Sequence, residues 1–150
     1  MLDAFEKMGV AATVITLALA GADFIAPAYH WLKVDRVEVL SSVEGQPILM
    51  EYQREIRRPF VGDWRVKVWR VEGQEVTPVC TTPISRENYK PGTKLPDPVT
   101  LEWFAYTDPD CYQLPAGDYQ MEVVWDVNPG SFWERTVVRR DTFRIAANEG

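Results

Sequence analysis

The sequence predicts an all-β body of two sheets packed face to face, preceded by a single N-terminal transmembrane helix. Three observations carry that expectation. Alternation of apolar and polar residues with a period of two recurs along the chain from Val34 to Ile145. Turn-forming Pro, Gly and Asn separate these runs. Ahead of them, Met8 to Leu32 form an apolar stretch whose only formal charge is Asp23, long enough to cross a bilayer as a helix.

This reading divides the chain into a short tail (1–7), a transmembrane helix or signal anchor (8–32), a β-domain (33–146) and a C-terminal tail (147–150). Tyr29 and Trp31 close the apolar stretch and Lys33 follows, the aromatic-then-basic order that suits a membrane interface. Ala18, Ala22 and Ala26 are spaced four apart beside Asp23. Small residues at that spacing form a face for a partner helix or a second copy of this one. The rival reading is a cleaved signal peptide, with Ala18-Leu19-Ala20 before the cut, which would release a secreted or periplasmic binding module. Against it, the segment MLDAFEK is not clearly positive, and apolar residues continue past the cut through Phe24, Ile25, Ala26 and Pro27.

The strands follow in order. Val37 and Val39 share a face in the first. Ile48, Met50, Tyr52 and Ile56 alternate with acidic and amide residues in the second, and Trp64, Val66 and Val68 with Arg65 and Lys67 in the third. Val76 to Thr82 is a short fourth, and Leu101, Trp103 and Ala105 mark the fifth. Tyr119, Met121, Val123, Trp125 and Val127 form the sixth, which ends at the Asn128-Pro129-Gly130 turn. Phe132 to Ile145 is the last, as one long strand or two short ones. Pro83 to Pro98, with four prolines, reads as the one long loop.

The segment Leu114-Pro115-Ala116-Gly117-Asp118-Tyr119 resembles the tyrosine corner of immunoglobulin-like and fibronectin type III-like domains, and Trp64 is similar to their core tryptophan. The resemblance covers about residues 34–146 and implies a seven-stranded immunoglobulin-like β-sandwich in which Leu114, Gly117 and Tyr119 are structural. It implies no activity. Neither cysteine lies where antibody domains place theirs. Cys80 and Cys111 are an even pair, and a bond between them would close a loop of about 30 residues worth ~3–4 kcal/mol. Such a bond implies an oxidising compartment; the alternative is two buried thiols.

A net charge of −6 argues against bulk attraction to nucleic acid. Charge is uneven: Arg54 to Arg70 and Phe132 to Ile145 are basic, while Asp97 to Asp126 is acidic. In an immunoglobulin-like sheet the acidic strand lies between the basic ones, so Glu122 and Asp126 are expected to form cross-strand ion pairs. His30 is the lone histidine and no nucleophile motif surrounds it, so no catalytic residue, metal ligand or cofactor site is assigned. Asp97, Asp108 and Asp110 are too few and wrongly spaced for a calcium loop. Trp69, Phe104, Tyr106, Phe132 and Trp133 are expected as exposed aromatics of a protein interface. The function expected is a non-enzymatic, single-pass membrane protein with its β-domain outside the cytoplasm. It would bind proteins as an accessory subunit of a membrane or envelope assembly, with no nucleic-acid partner. A small enzyme on the same sandwich is the remaining alternative.

Overall fold

The computed structural model describes residues 26–40, 42–94, 98–100, 114–130 and 133–150. Among them are nine strands: β1 (Leu32–Val39), β2 (Ser42–Val43), β3 (Leu49–Ile56), β4 (Phe60–Glu72), β5 (Glu75–Thr81), β6 (Ser85–Tyr89), β7 (Val99–Thr100), β8 (Gly117–Asn128) and β9 (Arg135–Ala146). They form a three-stranded sheet, β1-β3-β7, and a six-stranded sheet, β2-β9-β8-β4-β5, with β6 also on β4. Pairing is antiparallel except for β2 against β9, which is parallel. The arrangement is a two-sheet β-sandwich.

Sequence spacing explains β1. Leu32 and Val34 face inward, and so do Val37 and Val39, with one residue too many between the pairs. The register shifts between Val34 and Arg36, so Asp35 is the extra residue of a β-bulge, which restores the inward parity. The chain then leaves the small sheet for β2 on the large one. Side chains from β9 close the gap between the sheets. Arg139 Nε and Nη2 donate to the Val34 carbonyl at 2.9 and 2.6 Å, and Val39 N–H donates to Asp141 Oδ2 at 2.7 Å. These charged groups serve backbone polar groups at the sandwich edge that β3 does not pair.

Between the sheets lie Val34, Val37, Met50 and Ile56 on one side and Trp64, Val66, Val68, Met121, Val123, Trp125 and Val127 on the other, all buried. Tyr52 meets Trp125 edge to face at 6.1 Å. Leu114 is buried, and the Tyr119 hydroxyl donates to the Pro115 carbonyl at 2.6 Å, which is the corner hydrogen bond. Tyr119 also stacks on Phe143 at 5.4 Å.

Several expectations need correction. The helix expected to reach Leu32 does not do so. Ala26 precedes Pro27, which disfavours helical backbone at Ala26, and Pro27 itself is extended. Only a single 3-10 turn, Ala28–His30, follows. Among the described residues no helix is long and apolar enough to cross a membrane; residues 1–25, with Ala18, Ala22 and Asp23, lie outside them. Ala26 packs against the sandwich core instead of a helix stripe, and its carbonyl accepts from Arg135 Nε. Trp31, expected at a membrane interface, is 5% exposed, and Leu32 opens β1. The segment from Pro83 to Pro98 is not all loop, since Ser85–Tyr89 is a strand. β5 and β6 run in the same direction along one edge of β4, with Thr82 between them. Thr82 N–H donates to Val66 O at 2.9 Å, and its hydroxyl accepts from Val66 N–H at 2.9 Å. The two strands act as one edge strand interrupted at Pro83. The described residues alone therefore hold nine strands where seven were expected of the body, and the expected strand Leu101–Ala105 lies outside them.

Candidate protein-interaction face

β4, β8 and β9 present their alternate residues on the outer side of the large sheet. Register places these residues in rows across the sheet. Nearest the β8–β9 turn, Asp63 lies opposite Asp126, a like-charge pair that would repel. Each acid is neutralised from a different side. Arg86 forks onto Asp63 at 2.8 and 2.9 Å, while Arg65 Nη1 donates to Asp126 at 2.6 Å and Thr136 Oγ1 adds a bond at 2.8 Å. The Arg86 hydrogen bonds hold the Asp63 carboxyl below the usual carboxylate range. Two rows further on, Arg140 grips Glu122 at 2.7 Å beside Lys67. At the far end Arg144 forks onto Asp118 at 2.6 and 2.9 Å and lowers its pKa.

Between the rows that carry the acids lie two others, one of which is uncharged. Val124 and Val138 pair in one, and Val124 is 3% exposed although it faces away from the core. Trp69, Gln120 and Thr142 form the other, with Pro78 of β5 beside Trp69. The face thus alternates rows that hold ion pairs with a row of Arg65, Val124 and Val138 and an uncharged row of Trp69, Gln120 and Thr142.

Of the expected interface aromatics, Trp69 and Trp133 are described, and they lie apart. Trp69 is half-buried on this face. Trp133 is 57% exposed just before β9, whose first residue, Arg135, lies roughly 23 Å along the strand from Thr142 in the Trp69 row at ~3.3 Å per residue. Phe104, Tyr106 and Phe132 lie outside the described residues. Tyr29 is 53% exposed at the foot of β1, and Lys33 is held by Asp35 at 2.8 Å. Cys80 is buried in β5 and is not a free thiol, while Cys111 lies outside the described residues. Among the described residues no group of three or more His, Cys, Asp or Glu could hold a metal.

Arg54 carries a signal that alternation alone would have shown. It occupies the inward parity between Tyr52 and Ile56. Its guanidinium lies 5.5 Å from the centre of the Tyr89 ring, which in turn stacks on Phe60 at 4.6 Å. Burial lowers the Arg54 pKa and pushes the Tyr89 phenol up to about 12. Gly62 makes room for this cluster, because a Cβ there would stand 2.7 Å from the Phe60 ring.

No family model matches the sequence. No curated protein matches it either. Among solved structures the chain is similar to murine CRIg at 16% identity, with 79% of this chain and 98% of that chain covered and a TM-score of 0.43.

Proposed function

We propose that the chain is a membrane-anchored, non-enzymatic binding module. Its sandwich stands outside the cytoplasm and engages a protein partner within a larger membrane or envelope assembly. The observation that carries this is the outer face of the large sheet. Interface cores are depleted of charge and ringed by polar groups, and the row of Trp69, Gln120 and Thr142, with charged rows on both sides, has that order. Trp69 would be the anchor residue. The apolar residues 8–25 supply the membrane segment. A Cys80–Cys111 bond would staple the long connection after β5 and matches an oxidising compartment.

The test begins with intact mass on the membrane fraction, with and without reduction. A full-length chain whose thiols alkylate only after reduction supports the anchored, bonded form. A shortened chain in the soluble fraction replaces it with a secreted module cut near Ala20. Cross-linking in native membranes then compares Trp69→Ala with Gln53→Ala on the outer side of the small sheet. Loss of one defined cross-linked species with Trp69→Ala alone is the expected result. A chain that cross-links to nothing, or equally well in both variants, defeats the reading.

A further inference from the structure

The end of the sandwich at which residue 26 enters differs in character from the opposite end. Four segments meet there: residues 26–31, the β3–β4 turn (57–59), the chain after β6 (90–92) and the described residues between β8 and β9 with the first of β9 (129–130 and 133–135). Register fixes the convergence, since Leu32 pairs with Ile56, Phe60 with Tyr89 and Val127 with Arg135. Hydrogen bonds lock it. Arg57 N–H donates to Trp31 O at 2.8 Å, Arg57 Nη1 reaches Tyr29 O at 3.4 Å, and Arg135 binds the Ala26 carbonyl. The Arg135 guanidinium covers the Trp31 ring at 4.6 Å, with Arg58 at 6.0 Å.

The described residues of these segments include Arg57, Arg58, Lys90 and Arg135, and one acid, Glu134; Glu55, just inside β3, pairs with Arg57. Tyr29 and Trp133, both more than half exposed, stand among them. At the opposite end the turns carry Glu44, Glu72 and Glu75, with Arg70 held by Glu72. In a chain of net charge −6, the basic and aromatic end is the one that the apolar N-terminal stretch enters.

We infer that this end is a membrane-seating platform that rests on an anionic lipid surface through Arg57, Arg58 and Lys90, with Tyr29 and Trp133 at headgroup depth. The inference rests on the anchored reading above. Basic side chains act on an anionic bilayer within about 10 Å of it, and a segment crossing the membrane up to residue 25 would bring these residues into that range. Exposed Tyr and Trp prefer the same layer. Seating would fix the domain upright and hold the outer face of the large sheet side-on to neighbouring proteins.

The test places the full-length chain in nanodiscs of phosphatidylcholine alone or doped with phosphatidylglycerol, and follows hydrogen exchange at 57–60 and 90–93 against 43–46 and 73–75. Slowed exchange at the first two segments, only in anionic discs and reversed by molar salt, is expected. Lys90→Gln should weaken seating by about fivefold without changing the melting temperature of the detergent-solubilised chain by more than a degree or so, and adding Arg57→Gln should bring the loss to about 25-fold. Trp133→Ser, which leaves the charges intact, should weaken it less. Exchange that ignores lipid charge overturns the inference, and protection in both lipids would point to a protein at this end. If the chain fails to enter discs at all, the anchored reading falls separately. Sedimentation with preformed anionic vesicles then decides the platform: salt-sensitive binding keeps it, and none removes it.

Discussion

The two sheets neutralise their outer charges by different routes. On the small sheet the ion pairs join residues two apart on one stretch of chain: Lys33 with Asp35, Arg36 with Glu38, and Glu55 with Arg57. Strand neighbours gain nothing from them, and Glu38 even lies opposite Glu51. On the large sheet four pairs cross between strands: Asp63 with Arg86, Arg65 with Asp126, Glu122 with Arg140, and Asp118 with Arg144. A local pair forms in any register. A cross-strand pair forms in one only, so β4, β6, β8 and β9 carry in their charges the same alignment that their apolar residues carry in the core.

The sharpest way to break the comparison is to remove what the sheets share. Trp125 is fully buried and touches Tyr52 across the core, so Trp125→Ala should cost about 3–5 kcal/mol in urea unfolding, in one cooperative transition. Separate melting of the small sheet would show that the two are independent. Next in size is an alkaline effect. Burial raises the Tyr89 phenol to about 12 from its ordinary 10. The unfolded chain therefore loses this proton first, and stability present below pH 10 should drain away as pH climbs towards 12, by about 2–3 kcal/mol from this residue. Tyr89→Phe should flatten that limb of the stability–pH curve.

A third comparison sets the two kinds of ion pair side by side. Double-mutant cycles should give about 1 kcal/mol for Arg65–Asp126, whose side chains are 26% and 12% exposed, and near zero for Lys33–Asp35, at 42% and 50%. Equal couplings would erase the distinction between the sheets. The smallest effect lies in acid. Hydrogen bonds from Arg86 and Arg144 depress the Asp63 and Asp118 pKa values. Their contribution is present above the ordinary carboxylate pKa and is lost as pH falls through the lowered ones. Asp63→Asn with Asp118→Asn should make thermal stability less steep below pH 4, by an amount kept small by the exposure of both arginines.

Much of this was legible in the residues. Alternation placed β3, β4, β8 and β9, and the block of acids between two basic stretches anticipated the cross-strand pairing. The strand Ser85–Tyr89 was hidden because only Tyr89 in it is buried, so it has no apolar alternation to detect, and the surrounding prolines read as loop. Ser42–Val43 is too short for any period. Trp31 and Leu32 read as part of the apolar stretch because apolar residues run on into them without a break; Pro27 and the Leu32, Val34 parity are the signals that separate them. Arg54 escaped because a cation at an inward position looks like an interruption, yet its parity was right. The outer-face rows depend on register, which no single strand contains.

Pro78 and Pro83 lie along the open edge of the large sheet, one within β5 and one in the break before β6. Neither has an N–H to offer an incoming strand, and the break interrupts whatever ladder such a strand would need. Copies crowded on one surface therefore cannot zip together along this side into growing ribbons. An assembly that approaches from this side is left to side chains, rather than bare backbone, to choose the neighbour.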